Sequence, residues 1–330
     1  MMPIRAESDA LAAGEERQLS ALPLTGYRAA VALDEPFRPT AAPAPADRLD
    51  VHVRTALRLL GADPAMDRLG LRAASLDDLP DATTARRVLR VLLTVRDPGP
   101  RPEGVDEELD ALLAAEARRR PVTRVARLPT IAEQFKETPF PAAGQGVLWR
   151  GDITTLAVDA VVNAANSRML GCFRPLHPCI DNALHSAAGP RLRDDCHTIM
   201  TAQGSLEPTG TAKITRAYHL PAGHVLHTVG PAVRGRPHAE DARALAASYR
   251  ACLDLAAEVE TIRTVAFCAI STGVFGYPKA EAASIALTTV ADWLTTHPTR
   301  FDRVVFTAYE EDDERTYRHA LGVSGGPVRR

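Results

Sequence analysis

The sequence has no long apolar run: none of its hydrophobic stretches approaches the roughly 18 residues that a membrane-spanning helix needs. It also has no excess of one charge, because 39 basic residues face 41 acidic ones. That balance argues against non-specific nucleic-acid or membrane-surface binding, which depends on surplus Lys and Arg. Charged residues occupy the N-terminal stretch where a signal peptide would have its apolar core. We expect a cytoplasmic protein with a small ligand and no nucleic-acid or membrane partner.

Cysteine is also scarce, and its placement is uneven. The five cysteines are an odd number spread over a long chain, so a disulfide framework is not expected. All five lie at or after Cys172, and nine of the ten histidines lie in the same half, His52 being the exception. The sequence therefore predicts that the chemistry resides in the C-terminal half.

Composition separates two N-terminal segments. Residues 1–46 have few bulky apolar residues and end in a Pro- and Ala-rich stretch, which predicts a flexible arm. In residues 47–140, apolar side chains recur at helical spacing, as at Leu49, Val53 and Leu57. This second segment is predicted to be a small helical region.

Residues 141–330 alternate between short runs rich in Val and Ile and longer stretches with helical periodicity. Such alternation predicts an α/β domain with a mostly parallel or mixed sheet, helices on both faces, and a ligand beyond the carboxyl ends of the strands. The predicted strands are residues 147–149, 160–163, 224–228, 264–270 and 303–308. The predicted helices are residues 180–188, 191–203, 242–259, 281–297 and 311–321.

Three segments at predicted strand ends carry a family resemblance. They read GDIT at residues 151–154, NAAN at residues 163–166 and STGVFG at residues 271–276. With the stretch AYHLPAGHVLHTVGP at residues 217–231, they resemble the macrodomain family, whose members bind ADP-ribose or hydrolyse ADP-ribosyl linkages. The resemblance implies a three-layer α/β/α fold with a mixed central sheet, preceded by the small helical region.

The chemistry of these segments suits a nucleotide sugar. The carboxylate of Asp152 and the backbone N–H of Ile153 can pair with adenine, and Asn166 with Phe275 can contact the distal ribose. Each has a simpler alternative: Asp152 and Asn166 stabilise their own turns, and Phe275 anchors a loop. Consecutive N–H groups in the glycine-containing loop can bind a pyrophosphate. That loop consists of Ser271, Thr272, Gly273, Val274, Phe275 and Gly276.

The segment after NAAN departs from the usual family pattern, in which a run of glycines precedes an acidic residue. Here Cys172, His177 and Cys179 form a C-x4-H-x-C pattern in a proline-interrupted stretch. Cysteine and histidine are the ligands that zinc prefers in proteins. The pattern resembles the zinc-containing branch of the macrodomains, which implies one zinc ion per chain.

Three protein ligands are typical of a catalytic zinc site, because structural sites are usually closed by four. Asp181 and the pair Cys196 and His197 are candidates for a fourth ligand. By the resemblance, Asp181 aligns with the acidic residue that macrodomain hydrolases use near the distal ribose. His185, four residues on, falls on the same helix face and can orient it. The alternatives are a helix cap for Asp181 and a histidine bonded to a backbone carbonyl for His185.

The resemblance implies a zinc-dependent protein-ADP-ribose hydrolase that removes mono-ADP-ribose from an acidic side chain of a protein. Asp181 and Asn166 are the expected catalytic residues. Two alternatives remain: a module that binds ADP-ribose without cleaving it and has a structural zinc, and a hydrolase of O-acetyl-ADP-ribose. In some bacteria the zinc-containing branch is associated with a lipoyl-carrier protein, which is therefore a candidate substrate.

Overall fold

The computed structural model describes residues 21–323 of the chain. Its N-terminal part is helical, as predicted, and has a core of its own built from apolar residues at helical spacing. Asp63 and Asp81 cap two of these helices by accepting from backbone N–H groups. The helices are α1 (Leu49–Leu59), α2 (Pro64–Arg68), α3 (Ala74–Asp77), α4 (Ala82–Val95) and α5 (Val105–Arg119).

The remainder alternates strands and helices. Its strands are β1 (Thr123–Arg124), β2 (Gly146–Arg150), β3 (Leu156–Ala157), β4 (Ala160–Ala164), β5 (Ala212–Arg216), β6 (His224–Thr228), β7 (Thr264–Phe267) and β8 (Arg303–Ala308). Its helices are α6 (Ile131–Gln134), α7 (Ile180–Ala188), α8 (Arg191–Gln203), α9 (Ala239–Ala257), α10 (Lys279–Thr296) and α11 (Glu311–Ala320). Among the helices of residues 21–323, none combines the length and apolar composition needed to cross a lipid bilayer.

Six strands form the central sheet in the order β2-β8-β7-β4-β6-β5. All neighbours are parallel except β5, which runs antiparallel to β6 at the edge of the sheet. The mixed α/β sheet flanked by helices, and the helical region before it, are confirmed. Strand β5 was not predicted, because Lys213 interrupts its apolar pattern; the buried Lys213 ammonium pairs with Glu207 at 2.8 Å. The parallel strands place their carboxyl ends at one edge.

The N-terminal segment corrects one prediction. Leu24, Tyr27, Val31 and Leu33 are buried in the same core as the central sheet. The hydroxyl of Tyr27 accepts a hydrogen bond from the backbone N–H of Ile214 in β5 at 3.0 Å. Residues 21–46 are therefore not a flexible arm, because their few bulky side chains pack on a core built by the rest of the chain. Residues 1–20 lie outside the described part.

Asp110 joins three parts of the chain. It lies on α5, is fully buried, and accepts hydrogen bonds from the backbone N–H and hydroxyl of Thr40, from Arg191 and from His219. Although burial alone would raise its pKa, the bonds from His219, Arg191 and Thr40 hold the pKa of Asp110 well below its ordinary range. The N-terminal segment, the helical region and the sheet domain thus share one buried charge cluster.

Replacing Asp110 should destabilise the whole fold. Asp110→Asn removes the charge that Arg191 requires, and breaking a buried ion pair costs about 3–5 kcal/mol. Urea unfolding measures this loss. Asp34→Asn is the control, because the pair of Asp34 with Arg28 is solvent-exposed and should contribute less than about 1 kcal/mol. Equal losses in the two variants would contradict the assigned role of Asp110.

Candidate active site

The candidate residues follow three parallel strands of the central sheet. Asp152 comes after β2, Asn166 after β4, and Ser271 after β7. The backbone N–H of Gly151 donates to the carbonyl of Ala308 at 2.9 Å, so the pairing of β2 with β8 continues to the segment that holds Asp152. Because these strands are parallel, all three segments lie at the same edge of the sheet.

Asp152 precedes a short 3-10 helix, Ile153–Thr155, and caps it. Its Oδ1 accepts from the backbone N–H of Thr154 at 2.9 Å and from the Thr154 hydroxyl at 2.8 Å. Asp152 therefore stabilises its own turn, which is the simpler role considered for it. The side chain is exposed, and no donor within residues 21–323 bonds its other oxygen, Oδ2. One carboxylate oxygen is therefore accessible to a ligand, whereas the side chain of Ile153 is buried.

The loop after β7 is a tight turn. The backbone N–H of Tyr277 donates to the carbonyl of Ser271 at 3.0 Å, and Val233 donates to the carbonyl of Phe275 at 2.7 Å. Ser271 and Gly276 have positive φ angles of 65° and 70°. A Cβ atom at Gly276 would lie 2.9 Å from the carbonyl oxygen of Val233, so this position requires glycine. Phe275 is half-buried.

The tip of this loop faces solvent. Gly273 is exposed, and 72% of Val274 is accessible. Thr272 is half-buried, and its hydroxyl donates to the carbonyl of Ala269 at 3.0 Å. Exposed backbone around a glycine lets an anionic group approach closely. The predicted pyrophosphate loop therefore has an accessible tip on an ordered base.

Asp181 lies in the first turn of α7 and is 5% exposed. Cys179, not Asp181, caps this helix: the Cys179 Sγ accepts from the backbone N–H of Asn182 at 3.4 Å. The alternative that Asp181 is a helix cap is therefore wrong. Its Oδ1 accepts from Asn163 Nδ2 at 2.8 Å. Burial raises the pKa of Asp181 to about 6, against the opposing effects of the Asn163 bond and the Arg193 charge.

Two asparagines of the NAAN segment contact this carboxylate. Asn166 Nδ2 donates to the carbonyl of Gly171 at 3.1 Å and lies 3.5 Å from the second oxygen of Asp181. Asn166 Oδ1 accepts from the backbone N–H of Arg168 at 3.0 Å, so the residue also stabilises its own turn. The fully buried Asn163 was not predicted as a site residue. Polar residues spaced i and i+3 at a strand end were the available signal.

His185 fits neither of the roles considered for it. Its Nε2 lies 3.4 Å from Asp181 Oδ1, but neither ring nitrogen has a hydrogen-bond partner among the described residues. Burial, together with the charges of Arg193 and His227, moves the pKa of His185 well below its ordinary value. The imidazole therefore packs beside the buried carboxylate without a hydrogen bond to it.

The predicted zinc ligands come together. The Cys–His loop, defined here as residues 170–179, brings donor atoms of Cys172, His177 and Cys179 within 4.8 Å of one another. Within residues 21–323, no fourth Cys, His, Asp or Glu joins this group. Cys196 instead groups with His185 and His227 in the protein interior. The exposed His197 and the buried Asp181 also stay outside the group.

The donor set and its spacing fit a zinc ion. Cys172 Sγ lies 3.6 Å from His177 Nδ1. A tetrahedral zinc with Zn–S near 2.3 Å and Zn–N near 2.0 Å holds sulfur and nitrogen about 3.6 Å apart. All three residues are half-buried, so the group is reachable from solvent. The residues present are therefore compatible with the predicted metal.

Tyr309 is a further residue at this edge that the sequence did not single out. It directly follows β8, and 73% of it is exposed. The preceding residue, Ala308, accepts from Gly151, so Tyr309 lies near the segment that contains Asp152. An exposed aromatic ring beside a ligand edge offers a flat surface for a base.

Comparisons with known proteins agree with this architecture. The family described as "Macro domain" matches residues 162–286. A protein-ADP-ribose hydrolase of Treponema medium is 44% identical over 244 residues, covering 74% of this chain and 90% of the relative. A protein-ADP-ribose hydrolase of Staphylococcus aureus is 46% identical over 183 residues, covering 55% of this chain and 68% of the relative.

Solved structures show the same fold. The Trypanosoma brucei macrodomain in complex with ADP-ribose matches with a TM-score of 0.52 at 35% identity, covering 62% of this chain and 78% of that one. The sheet order, the residues at its carboxyl edge and these similarities lead to one conclusion: the chain belongs to the macrodomain family.

Proposed function

We propose that this protein is a zinc-dependent protein-ADP-ribose hydrolase that removes mono-ADP-ribose from a modified acidic side chain. The observation that carries this proposal is the buried carboxylate of Asp181, which contacts Asn163 and Asn166 beside the Cys–His loop. A module that only binds ADP-ribose needs no such carboxylate. The names of the two hydrolase relatives support the same activity.

The exposed groups at the sheet edge bind the nucleotide. Asp152 Oδ2 and the backbone of Ile153 pair with adenine, and the ring of Tyr309 stacks on it. The glycine-containing loop, residues 271–276, binds the pyrophosphate through its backbone N–H groups. Phe275 and Asn166 contact the distal ribose. This order leads from the exposed rim of the site to the buried carboxylate.

Cys172, His177 and Cys179 would hold the zinc ion next to the distal ribose. When bound, zinc supplies a Lewis acid, which orients a sugar hydroxyl or makes a nearby water more acidic. With three protein ligands, the coordination sphere keeps a position for a non-protein ligand. Such an open position would distinguish a zinc ion bound here from the four-ligand sites that serve stability alone.

In the hydrolysis, water adds to the anomeric carbon of the distal ribose and the carboxylate of the modified protein leaves. Asp181 acts as the general base that takes the proton of this water, or holds the water in position. Asn163 fixes the carboxylate, so its orientation is set before substrate binds. A lipoyl-carrier protein as the modified substrate stays a prediction from the resemblance.

The test of this function is release of ADP-ribose from a protein modified on aspartate. Purified protein of measured metal content is incubated with that substrate and, in parallel, with O-acetyl-ADP-ribose. Release from the modified protein supports the proposal. Binding without release identifies a reader module, and turnover of O-acetyl-ADP-ribose alone identifies the small-molecule hydrolase.

The protein as isolated should contain about one zinc ion per chain. Changing Cys172 and Cys179 together to Ser should abolish zinc binding, because two of the three ligands are lost. Elemental analysis after gel filtration measures the content. The matched control changes Cys252 and Cys268 to Ser, since these thiols are buried and do not belong to the group of zinc-type ligands. Zinc-free wild-type protein, or zinc retained by the first variant, would refute the assignment.

Asp152→Ala should weaken ADP-ribose binding about 10-fold to 150-fold, the equivalent of about 1.5–3 kcal/mol for one charge-assisted hydrogen bond. Isothermal titration calorimetry measures the dissociation constant. Thr154→Ala is the control, because it removes one bond to Asp152 but keeps the carboxylate. An unchanged dissociation constant in Asp152→Ala would show that adenine is held elsewhere.

Asp181→Asn should lower single-turnover release of ADP-ribose by roughly 100-fold to 10,000-fold while zinc content and melting temperature stay near wild-type values. Asp195→Asn makes the same chemical change at another buried aspartate, which faces Tyr218 at the opposite edge of the sheet. It should leave turnover nearly unchanged. Wild-type turnover in Asp181→Asn would exclude the catalytic role, and loss of zinc would make Asp181 a metal ligand.

A further inference from the structure

Arg193 is a buried cation between the helical region and the Cys–His loop. It lies on α8 and is 7% exposed. Its Nε donates to the carbonyl of Leu170 at 2.8 Å. Its Nη1 donates to the carbonyls of Leu93 at 2.9 Å and Arg96 at 2.5 Å. One guanidinium therefore bridges the start of the Cys–His loop and the C-terminal end of α4.

The charge of Arg193 is stabilised without a carboxylate in contact. No Asp or Glu of residues 21–323 lies within 4.0 Å of its nitrogens, although a buried cation is costly unless it is compensated. Carbonyl groups at the end of α4, where the helix dipole is negative, compensate it together with the nearby charge of Asp181. The helical region thus contributes acceptors that help this arginine to stay charged while buried.

The other side of the guanidinium holds the loop at two points around Cys172. Besides its bond to Leu170, the guanidinium lies 4.4 Å from the centre of the Phe173 ring, within cation–π range. Between these points, Gly171 has a φ of 86°, and a Cβ there would lie about 3.1 Å from the ring of His185. The backbone carbonyl of Leu170 and the ring of Phe173, which lie on either side of the first zinc-type ligand, therefore contact one side chain.

The acceptor carbonyl on the helical side is itself fixed. The Arg96 side chain is buried and pairs with Asp63 at 2.7 Å. The same guanidinium donates to the carbonyls of Asp97, Gly99 and Pro100. Arg96 can therefore present its own carbonyl to Arg193 in one position, since its side chain is anchored in the core of the helical region.

We propose that Arg193 is a positioning residue for the Cys–His loop, and that the helical region acts on the metal site through it. The proposal rests on the proposed function insofar as the loop holds zinc. It assigns the helical region a role at the metal site: the end of α4 holds Arg193, and Arg193 holds Leu170 and Phe173 on either side of Cys172. A loop with less support should lose its metal faster.

The test compares two neighbouring residues of α8 in the full-length chain. Arg193→Lys keeps the positive charge but replaces the planar guanidinium by a single nitrogen. That nitrogen cannot bond the carbonyls of Leu170 and Leu93 in the way that Nε and Nη1 do. Asp194→Ala removes ties from Asp194 to Gly99 and Arg101 of the helical region and leaves the loop contacts intact. Zinc release to a chromogenic chelator and hydrogen exchange of residues 170–179 are measured for both variants and for wild type.

Arg193→Lys should release zinc about 10-fold to 100-fold faster, the range typical of changes that support a metal ligand, and should show faster exchange across residues 170–179. Its ADP-ribose dissociation constant should stay near the wild-type value, because the nucleotide contacts lie at the other end of the site. Asp194→Ala should release zinc at the wild-type rate, even if its melting temperature falls as much as that of Arg193→Lys.

Equal zinc release in Arg193→Lys and wild type would overturn the proposal while leaving the hydrolase intact. Wild-type protein without zinc would overturn both, so the two failures are distinguishable. If Arg193→Lys does not fold, Phe173→Leu tests the proposal instead. It keeps Arg193 and its bonds to the carbonyls and removes only the contact with the Phe173 ring. That variant should release zinc several-fold faster, and a wild-type rate would count against the proposal.

Discussion

The burial of Asp181 is the constraint on which the rest of the site depends. A carboxylate taken out of water needs fixed donors, and Asn163 provides one at 2.8 Å. A carboxylate only accepts, so the nitrogen of the Asn163 amide must face it. The same nitrogen lies 3.1 Å from His227 Nδ1, which therefore accepts, and His227 Nε2 donates to Thr215 at 3.0 Å. The core thereby sets the direction of the carboxylate.

The helical region and the sheet domain have separate apolar cores, and polar contacts join them. Asp110 collects donors from the N-terminal segment and the sheet domain, while Arg193 collects acceptors from α4 and the Cys–His loop. Both groups are charged and buried, so their partners must keep their positions for either charge to be tolerated. Buried polar contacts therefore connect the large core of the sheet domain with the smaller core of the helical region beside the Cys–His loop.

Patterns in the sequence predicted the features that depend on residues close together in the chain. The periodicity of residues 180–188 and 191–203 gave both helices, and the ligands of the C-x4-H-x-C pattern converge because eight residues of chain connect them. The sequence patterns did not predict the polar contacts between residues far apart in the chain. Arg193 resembles any arginine on a helix, and its acceptors at Leu93 and Arg96 lie about a hundred residues earlier. Composition likewise misjudged residues 21–46, because it counts apolar residues without showing where they pack.

Exposure differs sharply between the two ends of the site. Asp152, Val274 and Tyr309 are open to solvent, whereas Asp181 and Asn163 lie in the interior. In the proposed function such rim groups contact the ligand in the ground state and in the transition state alike, so they should set affinity more than rate. In the proposed function the buried carboxylate of Asp181 acts on the rate, because it is held in position before substrate arrives and pre-organisation lowers a barrier. The proposed function therefore assigns affinity to the exposed residues of the sheet edge and rate to the buried ones.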